Sequence, residues 1–506
     1  MNRSALTKTS VLLTAQVVVS GIALFVLYKF IYRTLGLGTL GLWSLVLATT
    51  GITRSADLGL AGSLGRFVAR YRALNNQAQA VLVIETGLLS VITLLSLVCL
   101  LALPLVRVVL SSVVPRDKIA AAQGLLPFAA ASIIASAAAC AVQGALDGCS
   151  RLDLRAAVVM AASVAYAVLG IALSHFYGLV GLAWAQVIQS LLVTVFGWAI
   201  LRRVLPGVPM IPRRWRATVF REMLGYSIAY QVAGISMMLY EPVTKALLAK
   251  YGGLADVGVF EMASRVATQL RSLVAAPQQA VLPLAAEARE KGGRAVARLY
   301  QQAYSGLVAV LLPSVAVAVA SAPLVSLLWL GGFNRLFTRL VVVLVLAVGI
   351  QTLIAPAYFG LLGVGRASWV AAGNLTIGIG NLVLGVPLAL CCGTAGVIAA
   401  SIAALLAGSA LMLNVFHREY AIPWSVLAPT GGRYGLCLVA TAILTEVCVE
   451  LLPERAFFAA SAPWAATLGI GVLSVMVALN NPVLAPLARQ GWRRFQGSIG
   501  TSHANV

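Results

Sequence analysis

The sequence predicts an all-α polytopic membrane protein. It has about 14 transmembrane helices in two parallel-repeat six-helix lobes, followed by two C-terminal helices. Composition, the spacing of apolar runs and an internal repeat carry that prediction. Of 506 residues, 60% are apolar and 10% charged, with mean hydropathy +0.95. A soluble domain has about 45–50% apolar and about 25% charged residues. The formal charge of +21 would suggest a nucleic-acid partner in a soluble protein. In this composition it reads as basic loops on the cytoplasmic side, with no nucleic acid implied. The seven cysteines include Cys99, Cys140, Cys437 and Cys448 within apolar stretches. They read as small core residues, and the adjacent Cys391 and Cys392 lack metal-ligand spacing.

Runs long enough to span, at about 20 residues each, fall near 11–32, 39–60, 80–104, 121–146, 156–174, 178–201 and 224–249. Seven more follow near 257–284, 300–325, 337–364, 368–390, 394–416, 433–452 and 463–480. No A-x-A-like site follows the first run, so that helix is expected to be retained. An even count puts both termini on one side. Arg202, Arg203, Arg213, Arg214, Arg216 and Arg221 lie between the sixth and seventh runs, and Arg66, Arg70 and Arg72 after the second. Arg489, Arg493 and Arg494 lie in the tail, whereas the fifth–sixth and eleventh–twelfth connections have no Lys or Arg. The positive-inside rule therefore places both termini in the cytoplasm. Short loops leave no room for a soluble domain.

The repeat appears when the chain is slid on itself by 217 residues, the separation of Arg54 and Arg271. "GLGTLGLW" (36–43) then falls on "GLADVGVF" (253–260), and "ARYRALNN" (69–76) on "AEAREKGG" (286–293). Gly36 meets Gly253, Gly41 meets Gly258, Trp43 meets Phe260, Arg33 meets Lys250 and Arg72 meets Arg289, without a gap. Six crossings separate the matched helices, so the halves run parallel, related by an axis along the membrane normal. The expected organisation is an N-lobe at 1–201, a basic linker at 202–223, a C-lobe at 224–416, and the last two helices with a cytoplasmic tail at 417–506.

A basic helix end, then "LGLGTLGLWSLVLA", then "DLGLAGSLGRFVARYRA" resembles the opening of oligosaccharide-lipid flippases. These include Wzx-type O-antigen and polysaccharide exporters, in the superfamily that also holds lipid II flippases and multidrug extruders. The resemblance is most specific over the first two helices; helix count and repeat extend it over most of the chain. It implies two six-helix bundles around a cavity open to one side at a time, lined by helices 1, 2, 7 and 8. It also implies a polyprenyl-diphosphate-linked glycan as cargo.

An Arg at mid-membrane costs about 2.5–3.5 kcal/mol, so buried charge persists where it meets water or a partner. Charges gather in the repeat-paired helices: Lys29, Arg33, Arg54, Asp57, Glu241, Lys245, Glu261, Arg265 and Arg271. Guanidinium forks suit diphosphate oxygens. Arg54 and Arg271 lead the ligand candidates, joined by Arg265, Lys29, Lys245, Gln16 and Gln231. Gln269, Gln278 and Gln279 also lie in or near the lining helices. Asp57, Glu85 and Glu261 are the candidates for proton or sodium coupling. Each has a plainer reading: Glu241–Lys245 and Glu261–Arg265 have i,i+4 spacing and Arg54–Asp57 i,i+3 spacing, as structural pairs do. Lys29 and Arg33 suit snorkelling, and the glutamines suit interhelical bonds. Arg66, Arg70 and Arg72 suit loop anchors.

"GLGTLG" (36–41) matches G-x-G-x-x-G but joins two membrane helices with no strand before it, so it reads as a turn. No Walker-type loop occurs, and His175, His417 and His503 are scattered, so no enzyme, cofactor or metal is expected. Three rivals to a flippase remain: a cation-coupled multidrug extruder, which the basic lining disfavours; a polysaccharide polymerase or ligase, which would need a sizeable outer loop; and a scaffold contacting polysaccharide assembly enzymes.

Overall fold

Spanning helices must satisfy their own backbone polar groups, and the structure, a computed structural model, does this with helices alone among its described residues. It describes residues 3–51, 60–224, 240–275, 278, 281–428, 432–451 and 469–473. The first half has α1 (Arg3–Leu35), α2 (Leu37–Gly51), α3 (Leu60–Ala73), α4 (Gln77–Val113), α5 (Ile119–Gly148), α6 (Leu152–Val204) and α7 (217–224). The second has α8 (Tyr240–Tyr251), α9 (Leu254–Ala275), α10 (Val281–Glu290), α11 (Gly293–Ala320) and α12 (Ala322–Leu330). It continues with α13 (Arg335–Leu353), α14 (Ala355–Gly363), α15 (Ala367–Glu419) and α16 (Gly432–Leu451). Among the described residues, seven stretches are long and apolar enough to cross a membrane. The 53-residue α6 and α15 each contain two of the expected crossings.

Each of those two folds back at one glycine. Gly178 (φ 58°, ψ −133°) breaks α6, and Gly393 (φ 55°, ψ −136°) breaks α15. A Cβ on Gly181 would lie 2.1 Å from the Leu173 carbonyl oxygen, and one on Gly396 1.9 Å from that of Leu388. A straight helix would hold residues eight apart at about 12 Å. The left-handed φ that L side chains resist makes glycine the residue for such a reversal.

The repeat is written in the backbone. Left-handed residues pair as Gly36 with Gly253, Asn75 with Gly292, Ser150 with Gly365 and Gly178 with Gly393. The first two pairs keep the offset of 217 and the last two have 215, so the second half is two residues shorter between Gly292 and Gly365. Side chains follow: Arg72 lies beside Cys149 in the first half, and Arg289 donates to the Val364 carbonyl in the second at 2.7 Å. The chain is an all-α polytopic membrane protein of two parallel six-helix repeats with further C-terminal helices.

By packing, the chain divides into two compact units, Met1–Glu261 with Asn374–Ala404, and Met262–Gly373 with Leu405–Val506. In the first, Leu64, Phe67, Val68, Ile84, Leu88, Val142, Leu146 and Trp198 bury the seams among α3, α4, α5 and α6. The alanine-rich α5 lets backbones close up, and a Cβ on Gly65 would sit 2.9 Å from the Gly144 carbonyl oxygen. Leu97, Leu100, Leu101, Leu105 and Val108 form an exposed stripe on α4 at helical spacing, the face a membrane helix turns to lipid. In the second unit α11 packs on α10, α13 and α16. Phe416, Tyr300 and Tyr304 build an aromatic seam there, with Tyr300 hydrogen-bonded to His417 Nε2 at 2.9 Å.

Candidate functional site

Single left-handed glycines, Gly36 and Gly253, join α1 to α2 and α8 to α9. Past these turns α2 and α9 cross in near backbone contact. A Cβ on Gly41 would sit 1.8 Å from the Leu254 carbonyl oxygen, and one on Gly258 2.3 Å from that of Leu37. Leu37 and Leu254, like Gly41 and Gly258, are repeat-equivalent, so the contact is reciprocal and marks a local two-fold axis. Residues with side chains cannot approach so closely.

One helical turn beyond each glycine stand Ser44 and Glu261, again 217 apart, and they touch. Ser44 Oγ donates to Glu261 Oε2 at 2.8 Å, and Tyr28 OH donates to Oε1 at 3.0 Å. Lys245, the repeat-equivalent of Tyr28, places Nζ 2.7 Å from Glu261 Oε2 and also binds the Glu241 carboxylate one turn back on α8. The Lys245 and Glu261 side chains are 3% and 2% exposed, whereas Glu241 is 59% exposed. A buried carboxylate is tolerated when its lone pairs are filled and a cation faces it, and Glu261 meets both conditions. The cluster carries two carboxylates and one ammonium, with Glu241 as its wet end. Asn381 of α15 braces α8 by donating to the Tyr240 carbonyl at 3.0 Å and Thr244 Oγ1 at 2.9 Å.

The i,i+4 contact of Lys245 with Glu241 is present, but Lys245 also holds Glu261 from a different helix. Lys29 is half-buried and Arg33 exposed, and neither forms an ion pair among the described residues. Gln16 is half-buried, with Oε1 buried and unpartnered. Glu85 is fully buried on α4, and its Oε2 accepts the backbone N–H groups of Arg213 and Arg214 at 2.9 and 3.0 Å. It thereby holds the linker in place. Arg54, Asp57, Gln231 and Gln279 lie outside the described residues.

In the second unit Arg271 is exposed on α9 and donates to the Gln351 amide oxygen at 3.1 Å, with no acid partner among the described residues. Arg265 and Gln269 are half-buried on the same helix. Gln278 is buried, with Oε1 unpartnered. Among the described residues no group of three or more His, Cys, Asp or Glu side chains has metal-site geometry. Sequence reading missed Tyr28 and Ser44 as partners of Glu261. The offset of 217 that pairs Ser44 with Glu261 and Tyr28 with Lys245 was the signal available.

Two helical repeats whose second helices cross beside polar and charged side chains define the fold. Solved structures share it. A lipid II flippase MurJ in an inward closed conformation superposes with TM-score 0.68 at 14% identity, covering 93% of this chain and 98% of that one. An inward-facing multidrug resistance MATE family transporter of the MOP superfamily gives TM-score 0.66 at 16% identity, over 79% and 94%. An outward-facing multidrug resistance MATE family transporter gives 0.55 at 17%, over 82% and 95%. No curated protein matches the chain. The family model of the polysaccharide biosynthesis proteins matches residues 5–289, and the chain belongs to that family. The fold is shared with a solved flippase and solved transporters.

Proposed function

We propose that the chain is an alternating-access flippase carrying a polyprenyl-diphosphate-linked oligosaccharide across the bacterial inner membrane for surface polysaccharide assembly. The observation that carries the reading is uncompensated positive charge on repeat-paired helices. Lys29 and Arg33 on α1, and Arg271 on α9, have no acid partner among the described residues. A cation kept in a membrane helix without a counter-charge calls for one from its ligand, and a diphosphate supplies it. Lobes 1–201 and 224–416 rock about linker 202–223, with the last two membrane crossings and the tail in 417–506 and both termini cytoplasmic. Arg54, Arg265, Arg271 and Lys29 receive the diphosphate, and Gln16 and Gln231 meet sugar hydroxyls.

Lys245 takes a second role in this reading. Its ammonium is taken up by Glu241 and Glu261, so it serves as the centre of a lock between repeats. Ion coupling enters through Glu241 and Glu261, where a proton or sodium ion at the wet carboxylate competes with Lys245. Asp57 remains a coupling candidate, and Glu85 is engaged by the linker. Glu241 and Glu261 are also what favours the second reading, a cation-coupled multidrug extruder.

Deletion of the gene separates the readings. A flippase predicts loss of a surface glycan with its lipid-linked precursor accumulating in the cytoplasmic leaflet. Unchanged glycan with increased drug sensitivity rejects the flippase in favour of the extruder. Precursor that reaches the outer leaflet but stays unattached rejects both in favour of an assembly enzyme.

A further inference from the structure

The segment after α6 is not a slack tether. Gly207 (φ 98°) turns the chain, and Leu205, Val208, Val219 and Met223 enter the core of the first unit. Trp198 Nε1 donates to the carbonyls of Pro209 and Met210, each at 3.1 Å. The backbone then runs along the first turns of α4. There Glu85 accepts the amides of Arg213 and Arg214, Thr86 Oγ1 accepts that of Arg216 at 3.4 Å, and Trp215 Nε1 donates to Ser90 Oγ at 2.9 Å. A fully buried carboxylate thus fixes the backbone while the side chains beside it stay outside.

What stays outside is of one kind. Met210, Ile211 and Trp215 are 75%, 56% and 50% exposed. Arg202, Arg203, Arg213, Arg214, Arg216 and Arg221 are exposed and form no ion pair among the described residues. The only acid in 202–223 is Glu222, and it is occupied by Arg70 at 2.9 Å and by the Tyr71 hydroxyl at 3.1 Å. With 37 residues, α4 is about 55 Å long against about 30 Å of hydrocarbon, so its end turns lie in the headgroup layer. Aliphatic and indole groups interleaved with guanidinium groups, beside spanning helices, complement a surface of apolar chains under phosphate charges.

We infer that residues 202–221 form a docking surface for anionic phospholipid, with Arg213, Arg214 and Arg216 on the headgroup phosphates and Met210, Ile211 and Trp215 in the interfacial layer. Glu85 is its positioning residue, holding the strap in the shape that presents these groups.

The test is native mass spectrometry of the full-length protein in detergent, titrated with phosphatidylglycerol and, separately, phosphatidylcholine. The variants are Arg213→Gln/Arg214→Gln/Arg216→Gln and, as a charge-matched control, Arg294→Gln/Arg298→Gln/Arg335→Gln. Near an anionic surface each arginine contributes about fivefold in affinity. The strap variant should therefore bind phosphatidylglycerol at least about tenfold more weakly, with phosphatidylcholine unchanged and the control close to wild type. Equal loss in both triple variants would reduce the effect to net charge and overturn the site. So would a wild type that prefers polyglutamate over phosphatidylglycerol, an outcome that assigns the strap to an acidic protein. Glu85→Ala should free the strap, raising the rate of tryptic cleavage after Arg213 and Arg214 and lowering phosphatidylglycerol retention. The substituted arginines are exposed, so their variants decide the matter even if Glu85→Ala does not fold.

Discussion

Replacing Lys245 by Met keeps most of the side-chain volume and removes the ammonium 2.7 Å from Glu261. Glu261, 2% exposed, still accepts from the Tyr28 and Ser44 hydroxyls. Removing one partner of a buried ion pair costs about 3–5 kcal/mol. Charge-assisted hydrogen bonds from these hydroxyls solvate part of the carboxylate, so the lower end, about 3 kcal/mol, applies here. Glu261→Gln should cost less, about 1–2 kcal/mol, because an acceptor remains and Lys245 retains Glu241. The double variant Lys245→Met/Glu261→Leu removes both members of the pair and should fall within about 1 kcal/mol of wild type. Thermal unfolding of the purified protein at one lipid-to-detergent ratio reads the order: Lys245→Met lowest, Glu261→Gln between, the double variant near wild type. A double variant no more stable than Lys245→Met would refute the claim that the two side chains form a buried pair.

Gly258→Val should abolish folding or lower the unfolding temperature sharply, because its Cβ meets the Leu37 carbonyl oxygen, whereas Gly306→Ala, with nothing within 4 Å, should be tolerated in the same thermal scan. Arg271→Glu should block glycan export while membrane insertion stays normal, and wild-type export from that variant would remove Arg271 from the ligand site. Exchanging repeat-equivalent residues, Tyr28→Lys/Lys245→Tyr with Ser44→Glu/Glu261→Ser, should recover stability lost in Ser44→Glu/Glu261→Ser alone. No recovery in thermal unfolding would argue against the local two-fold axis.

The repeat was legible because matched positions kept their residue type. Gly36 with Gly253 and Arg72 with Arg289 share a constant offset and, in the structure, equivalent conformations or partners. The buried lock was not legible, because Ser44 and Glu261, or Tyr28 and Lys245, share no chemistry that an alignment by likeness would reward. Glu241–Lys245, by contrast, lies at a spacing visible along one helix. Glu85 showed the same limit. In an apolar run it suggested an ion site, since nothing local discloses that backbone amides 128 and 129 residues later fold onto it. Helix reversals at Gly178 and Gly393 were legible as breaks between apolar runs, but the need for a left-handed φ emerged only from the backbone.

The lock also explains why the repeats diverge where they meet. Near a two-fold axis, equivalent positions face each other, so identical residues set like against like. Glycine against glycine is then the best solution, because closeness alone is required, and Gly41 and Gly258 remain the same. Glutamate against glutamate is the worst, since two buried carboxylates in contact repel each other in a medium that screens poorly. One repeat therefore carries the acid at Glu261 and the other a hydroxyl donor at Ser44; one carries the ammonium at Lys245 and the other a phenol at Tyr28. Small residues stay symmetric and charged ones become complementary, which yields a close contact held by an ion pair that reaches the surface at the exposed Glu241.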